Sequence, residues 1–507
     1  MRLLKEILRV VRAKTSKSNL LALISDDNEY STLTSRFLSG LVEEEYQTDD
    51  DASRSLYNSG ARDTRYRTLK SRAYDKLTLS ILNLNIKPPD HSEYLSSYYK
   101  CIRYEVAAQT LMRFASRKAG YMVALRTLSI AQKYHFSSVC LSLSALIRDS
   151  AALWGDQTTF YQYNLKVRYY SRSVVFELES DFLLDDLRLE LSVTHYDRKY
   201  YQNKHKSVLD TISSMVDSCP SHLLILNRYR ASIIYYETLE EFDEVKEQCE
   251  SAIHYLKGLP HLTQKARLGE FLLRRVAADI YTRNPVSISF INECMALFSV
   301  GGPNWNTGMI LSFVSSMYSL DFSQANEVHK SVFNANNFDQ MHGLAKERWL
   351  LHNAYLLLAK QIGLSDLKDM SIDGFRISTF LNSMTNESKS KRGANSLIII
   401  FHALSLLLEQ KFDLAEKRIE YLNVYCTRYL RDRQHTRVRL FIKAIQQIPR
   451  LRGNLPGLKA ALSPYLSAIR EAAAIPMPAE VNELIPYDVM LEAYMRKLEA
   501  EEAAARR

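Results

Sequence analysis

Three features of the 507-residue sequence predict an all-α fold. Glycine (15) and proline (12) are scarce for that length while Leu, Ala, Lys, Arg and Glu are plentiful, a balance that favours long helices over turn-rich sheets. Beyond Pro89 the chain reads as apolar faces at three- and four-residue spacing, separated by short polar joints. Hydrophobic residues make up 46% of the chain, enough for a sizeable core, so disorder is not expected.

The opening segment MRLLKEILRVVRAK places Arg2, Lys5, Arg9 and Arg12 on one helical stripe and Leu4, Leu8 and Val11 opposite. Lys5, Glu6 and Arg9 interrupt any apolar run, so it reads as an amphipathic first helix and not a secretory signal; a membrane-surface helix is the alternative. EEEYQTDDD at 43–51 is expected to be a solvated linker, with NSGA at 58–61 a loop. TRYRTLKSRAYDKLTLSILNL at 64–84 is a helix that KPPD ends. Its apolar stripe of Leu69, Ala73, Leu77, Ile81 and Leu84 must pack against something, leaving Arg65, Arg67, Lys70, Arg72 and Lys76 as the wet flank. Residues 1–95 are thus expected to form a helical N-terminal cap with an acidic linker near 43–61.

One spacing recurs farther on. Tyr121 is followed by Ala124, Leu128 and Ala131; Phe242 by Val245, Cys249 and Ala252; Phe322 by Ala325, His329 and Val332; Phe412 by Ala415, Ile419 and Leu422. Each aromatic is expected to open a helix after a polar joint, and the intervals of 121, 80 and 90 residues approximate multiples of about 40 to 45, one helix hairpin with its loops. A degenerate unit at Tyr201 carries Lys204 where a small residue is wanted.

The pattern resembles that of tetratricopeptide repeats over roughly residues 100 to 445. That resemblance implies a right-handed α-solenoid of helical hairpins at 96–345, continued by C-terminal hairpins at 346–470 and closed by a helix and tail at 471–507. In it Tyr121, Ala124, Ala131, Phe242, Val245, Ala252, Phe322, Ala325, Phe412 and Ala415 would pack the repeats. The C-terminal half, in RWLLHNAYLLLAKQIG, the 375–445 stretch and ELIPYDVMLEAYMRKL, also resembles uncharacterised helical proteins of Bacteroidota. This implies a bacterial protein of that fold and no catalytic residue.

No phosphate loop, H-E-x-x-H, G-x-S-x-G elbow or kinase-type signature occurs, and GGPNWNTG reads as a turn lacking the strand, lysine and helix start of a nucleotide cradle. The six cysteines, at 101, 140, 219, 249, 294 and 426, form no metal-binding spacing and read as reduced, buried thiols of a cytoplasmic protein. His254 and His261 cannot share a helical face across Pro260. The acidic group Glu177, Glu179, Asp181, Asp185, Asp186 and Glu190 reads as a solvated face answering Arg188, Arg198 and Lys199. The longest apolar run, LIIIFHALSLLL at 397–408, is too short to span a bilayer. No catalytic residue, cofactor, metal or membrane insertion is expected.

Four basic clusters remain: Arg65 to Lys76, Arg198 to Lys206, Lys389 to Arg392, and Arg428 to Arg439. The second and fourth mix tyrosine with bases, as platforms for single-stranded nucleic acid do. The net charge of +9 is modest for this length. Among 31 tyrosines, the pairs 98–99, 169–170, 200–201 and 235–236 suggest one ring packed and its neighbour exposed. The expected function is a non-catalytic scaffold that holds a protein or peptide on a concave repeat surface, through Arg428, Arg431, Arg437, Arg439, Tyr200 and Tyr201. The alternative is a nucleic-acid-associated regulator using the same clusters.

Overall fold

The computed structural model describes residues 1–14, 33–82, 93–114, 116–191, 198–282, 288–334, 341, 343–366, 394–429, 436–472 and 483–505. Every regular element among them is helical, and many helices pack against their neighbours in sequence as hairpins. Backbone contacts divide the chain into two compact units, Met1–Ser171 and Arg172–Arg507.

The first unit opens with α1 (Arg2–Lys14), α2 (Leu33–Val42), α3 (Asp49–Tyr57) and α4 (Thr64–Leu82). Leu4, Leu8 and Val11 of α1, Phe37, Leu38 and Leu41 of α2, and Leu69, Ala73 and Leu77 of α4 form one buried cluster, so the apolar stripe of α4 packs against the helices before it. Leu84 lies outside the described residues. The acidic stretch is not all linker. Asp49–Asp51 form the first turn of α3, where Thr48 and Asp51 make a reciprocal capping box and three carboxylates face the positive end of the helix dipole. Asn58 closes that helix in the left-handed conformation.

Three long helices follow: α5 (Glu93–Arg113), α6 (Arg117–Lys133) and α7 (Ser137–Trp154). α5 and α6 approach closely at Gly120, where an added Cβ would lie 2.8 Å from the Ala108 carbonyl oxygen. Tyr94 and Tyr98 meet Phe136 edge to face at 4.9 and 5.1 Å, which seats α7. A 35-residue helix, α8 (Gln157–Leu191), comes next.

In the second unit the hairpins continue with α9 (Arg198–Ser218), α10 (His222–Leu239), α11 (Phe242–Gly258), α12 (Lys265–Tyr281), α13 (Ile288–Met295), α14 (Pro303–Tyr318), α15 (Phe322–Phe333) and α16 (Gly343–Gln361). Helices α10, α12, α14 and α16 begin at 222, 265, 303 and 343, about 40 residues apart, the expected hairpin period. After them come α17 (Ala394–Leu408), α18 (Phe412–Tyr429), α19 (Thr436–Ile445), the single turn α20 (Gln447–Arg450), α21 (Leu455–Glu471) and α22 (Tyr487–Ala505). Phe313, Trp349, Tyr355, Phe401, Phe441 and Tyr487 anchor the core of this region. The apolar run at 397–408 is a helix buried inside that core.

The recurring spacing marks buried faces. Phe242, Val245, Cys249 and Ala252 are buried, as are Phe322, Ala325, His329 and Val332; Ala415, Ile419 and Leu422 are buried beside a half-buried Phe412. These three aromatics each open a helix, as expected. Tyr121 does not: α6 begins at Arg117, so Ala124, Leu128 and Ala131 are buried while Tyr121 stays half-exposed. GGPNWNTG is also more than a turn, because Gly302 caps α14 and Pro303 is its first residue, where a missing N–H costs nothing.

One joint is repeated. After α6, α10, α14 and α17 a non-glycine residue, respectively His135, Glu240, Leu320 and Gln410, adopts φ of +55° to +65°. Its N–H donates to the carbonyl three residues back at 3.1–3.2 Å, and the next N–H donates five residues back at 2.9–3.0 Å. This Schellman closure satisfies the last carbonyls and turns the chain into the next helix within a few residues. Gly155 and Gly363 close α7 and α16 with the same bonds.

The C-terminal closure turns on Arg437. Its Nε and Nη2 fork onto the two oxygens of Glu483 at 2.9 and 2.8 Å, Nη2 also meets Asp488 at 3.1 Å, and Nη1 donates to the carbonyls of Ile469 and Ala472. Glu483 in turn accepts the Tyr487 N–H at 2.6 Å. One guanidinium therefore joins α19, the end of α21 and the start of α22 with all its donors engaged.

The left-handed joints predict opposite signs for two substitutions. Leu320→Gly relieves strain and is expected to raise unfolding stability by about 0.5–1 kcal/mol, whereas Gly363→Ala imposes it and lowers stability by about 1 kcal/mol, both read from urea midpoints. Arg437→Ala strands the buried Glu483 carboxylate and is expected to cost about 3–5 kcal/mol, seen as lost hydrogen-exchange protection along α22.

Candidate partner-binding surface

Several bases of these clusters whose side chains are described are held by acids of their own chain. In α4, Arg65 is held by Asp63 at 2.8 Å and lies over Tyr57, while Lys70 reaches Asp49 at 2.8 Å. Burial acts to raise the Asp49 carboxyl, but hydrogen bonds from Lys70 and Tyr66 outweigh it and hold it at about 2. Lys204, at the position where the repeat pattern wants a small residue, extends to Asp186 and Glu190 of α8 at 2.7 and 2.5 Å. With Arg188 on Asp185 and Asn227 donating to Asp181, much of the acidic group in α8 is answered from within the fold. Lys206 pairs with Asp210 and lies over Tyr235.

The fourth cluster is dispersed by the fold. Arg437 is only 4% exposed and occupied by the closure described above, a placement set by the approach of Glu483 from 46 residues away. Arg439 is half-buried and donates to Thr436 at 3.2 Å. Arg428 belongs to the last turn of α18; its side chain, Arg431 and the 389–392 cluster lie outside the described residues. Tyr200 is exposed, whereas Tyr201 is buried with its hydroxyl donating to the Glu190 carbonyl at 3.3 Å. The 98–99, 169–170 and 200–201 pairs each divide this way, one ring more exposed than its neighbour, while Tyr235 and Tyr236 are both half-buried.

An opening in the first unit was not anticipated. Met112, Arg113, Arg117, Lys118, Tyr121, Met122 and Trp154 line an open cavity of about 790 Å³ where the end of α5, the start of α6 and the end of α7 converge. Tyr121 and Trp154 meet edge to face at 5.0 Å. Arg113, Arg117 and Lys118 are exposed and have no ion-pair or hydrogen-bond partner among the described residues. Arg117 and Lys118 occupy the first turn of α6, against the helix dipole, an arrangement that costs helix stability and concentrates positive potential at the cleft mouth. Tyr121 was expected to fill a seam between repeats; it lines this cleft instead. The signal in the sequence was the uncompensated SRK step before an aromatic, legible only once Trp154 is known to lie alongside.

Buried titratable groups elsewhere serve the fold. Across α10 and α12, Arg230 forks onto Glu270 at 2.7 Å and Arg274 meets Glu237 at 3.2 Å. Burial raises the Glu237 carboxyl despite Arg274; it also acts to raise Glu270, where the Arg230 fork prevails and lowers it. His205 bonds Thr238 at 2.6 Å and His329 bonds the Trp349 carbonyl at 3.0 Å, and burial pushes both down to about 4. The cysteines are all buried and form no disulfide. No group of three or more His, Cys, Asp or Glu side chains converges as a metal site would among the described residues. No helix among them is long and apolar enough to cross a membrane.

No protein-family model matches the chain, and neither a curated protein nor a solved structure is significantly similar to it.

The histidines set a pH dependence. In the unfolded chain they take up protons near pH 6.5, but in the fold not until about 4. Stability is therefore expected to fall as pH drops from 6.5 to 4, by roughly 2–3 kcal/mol per histidine. Thermal melts across that window test this, and His329→Gln is expected to flatten the slope.

Proposed function

We propose that this protein is a non-catalytic helical-repeat scaffold that holds an acidic peptide segment, and that the cleft at Tyr121 and Trp154 is where it does so. The observation that carries the reading is three exposed cations without partners around an aromatic and methionine floor, two of them placed against a helix dipole. Methionine and edge-to-face aromatics make an adaptable apolar seat for one anchoring side chain, and cations on the rim select flanking carboxylates. The hairpin period of about 40 residues and the repeated joint support a right-handed solenoid of tetratricopeptide type as the frame. Six buried thiols outside any disulfide suit a reducing cytoplasmic setting. The nucleic-acid alternative has less support, because phosphate binding draws on free cations along a continuous track and most of the anticipated bases with described side chains are paired internally.

Trp154 is half-exposed, unlike the buried Trp305 and Trp349, so its fluorescence reports on the cleft. A library of peptides carrying one Phe, Leu or Trp flanked by Asp and Glu is expected to contain members that shift that emission. Measured by titration calorimetry, since the first change removes the fluorophore, Trp154→Ala is expected to weaken them by about 2 kcal/mol and Arg117→Glu by tenfold or more. Peptides that leave the emission unchanged while a single-stranded oligonucleotide shifts it, with steep salt dependence, would give the site to nucleic acid.

A further inference from the structure

Where α5 stops, α6 starts and α7 stops, the first unit exposes more apolar surface than its cleft encloses. Phe114, in the joint between α5 and α6, is 80% exposed, and no other large apolar side chain among the described residues is as exposed. Leu153, beside Trp154 in the last turn of α7, is 65% exposed. Met122 and Trp154, at 46% and 48%, stand at the opening itself. A peptide seated on Tyr121 and Trp154 would leave Phe114 and Leu153 in water, since neither lines the cleft.

The charge around these residues has one sign. Arg113 precedes Phe114 in the chain and Arg117 and Lys118 follow it, all three exposed and without a partner, and no acid lines the opening. The acids flanking Trp154 in sequence are engaged: Asp149 pairs with Arg148 at 2.8 Å, and Asp156 accepts the Thr159 N–H at 3.0 Å at the start of α8. Apolar groups at neighbouring helix ends make tips and not a groove, which suits a surface that yields around them. An anionic bilayer is such a surface: aromatic rings settle at headgroup level, and each base nearby is drawn to the lipid charge.

We propose that this end of the first unit docks on an anionic lipid surface, with Phe114 and Leu153 entering the headgroup boundary and Arg113, Arg117 and Lys118 meeting the lipid anions. The attachment is peripheral, apolar burial and charge attraction adding to each other, and it needs no helix that crosses the bilayer. It does not rest on the peptide-binding reading, because Phe114 and Leu153 lie outside the cleft. The two share their cations, so an acidic peptide in the cleft competes with the bilayer.

Co-sedimentation of the full chain with vesicles of phosphatidylcholine containing about 30% phosphatidylserine tests it, with pure phosphatidylcholine as the contrast. The protein is expected to pellet with the anionic vesicles, to stay in solution with the neutral ones, and to be released by salt. Phe114→Ser and Lys118→Glu are each expected to weaken binding by about tenfold or more. Both side chains are exposed, so neither change disturbs packing. Brominated lipid is expected to quench Trp154 and spare the buried Trp305 and Trp349. Peptide binding is expected to survive Phe114→Ser, which separates failure of this inference from failure of the cleft reading. No pelleting at about 1 mM lipid, some ten times what half-binds a single acyl anchor, overturns the proposal. So does equal binding to neutral vesicles, or binding indifferent to Phe114→Ser. Self-association that Phe114→Ser abolishes, with no vesicle binding, also overturns it and gives the face to a second copy.

Discussion

The repeated joint constrains everything built around it. A helix that ends in a Schellman closure and restarts two residues later must lie antiparallel to its successor, so the apolar face of each helix has its partner chosen by chain direction. Three residues decide the geometry, and one of them is held at positive φ without the help of glycine at His135, Glu240, Leu320 and Gln410. That local strain, about 1–2 kcal/mol per site, is sustained because helix packing on both sides over-determines the turn. Cores then form between neighbours in sequence, as in Phe242, Val245 and Cys249 against Leu226 and Ile233.

The hairpin stack also governs where charge can go. Long cations on one helix reach carboxylates on the next, as Lys204 reaches Asp186 and Glu190, and as Arg230 and Arg274 interlock with Glu270 and Glu237. Such pairs hold helices in register while removing the bases from the surface available to a ligand. Arg437 is the extreme case. Its five donors bind three segments of the C-terminal region, and burial that would otherwise penalise the cation is offset by complete hydrogen bonding. Among the cations without an ion-pair or hydrogen-bond partner in the described residues, Arg113, Arg117 and Lys118 converge on one aromatic-lined opening, and that convergence is what makes the cleft of the first unit chemically distinct.

The sequence by itself determined the helical class and, for the clearly amphipathic helices, which face is buried, since these follow from spacing within one segment. Leu69, Ala73 and Leu77 were legible as a buried stripe, and so were Phe242, Ala325 and Ile419, because a 3.6-residue period needs no knowledge of the partner. The capped start of α3 was equally local, yet three aspartates after Thr48 read as a linker when charge density was weighed ahead of capping chemistry. Only the tertiary structure decided which charges are free. Arg437 and Arg117 look alike in sequence, each a base among bases, but a glutamate 46 residues away buries the first and nothing described answers the second. The exposure of Phe114 was equally invisible, because an apolar residue gives no sign of whether a neighbour covers it. Periodicity is a property of a segment; pairing and exposure are properties of the packed chain, and the function proposed for this protein rests on the latter.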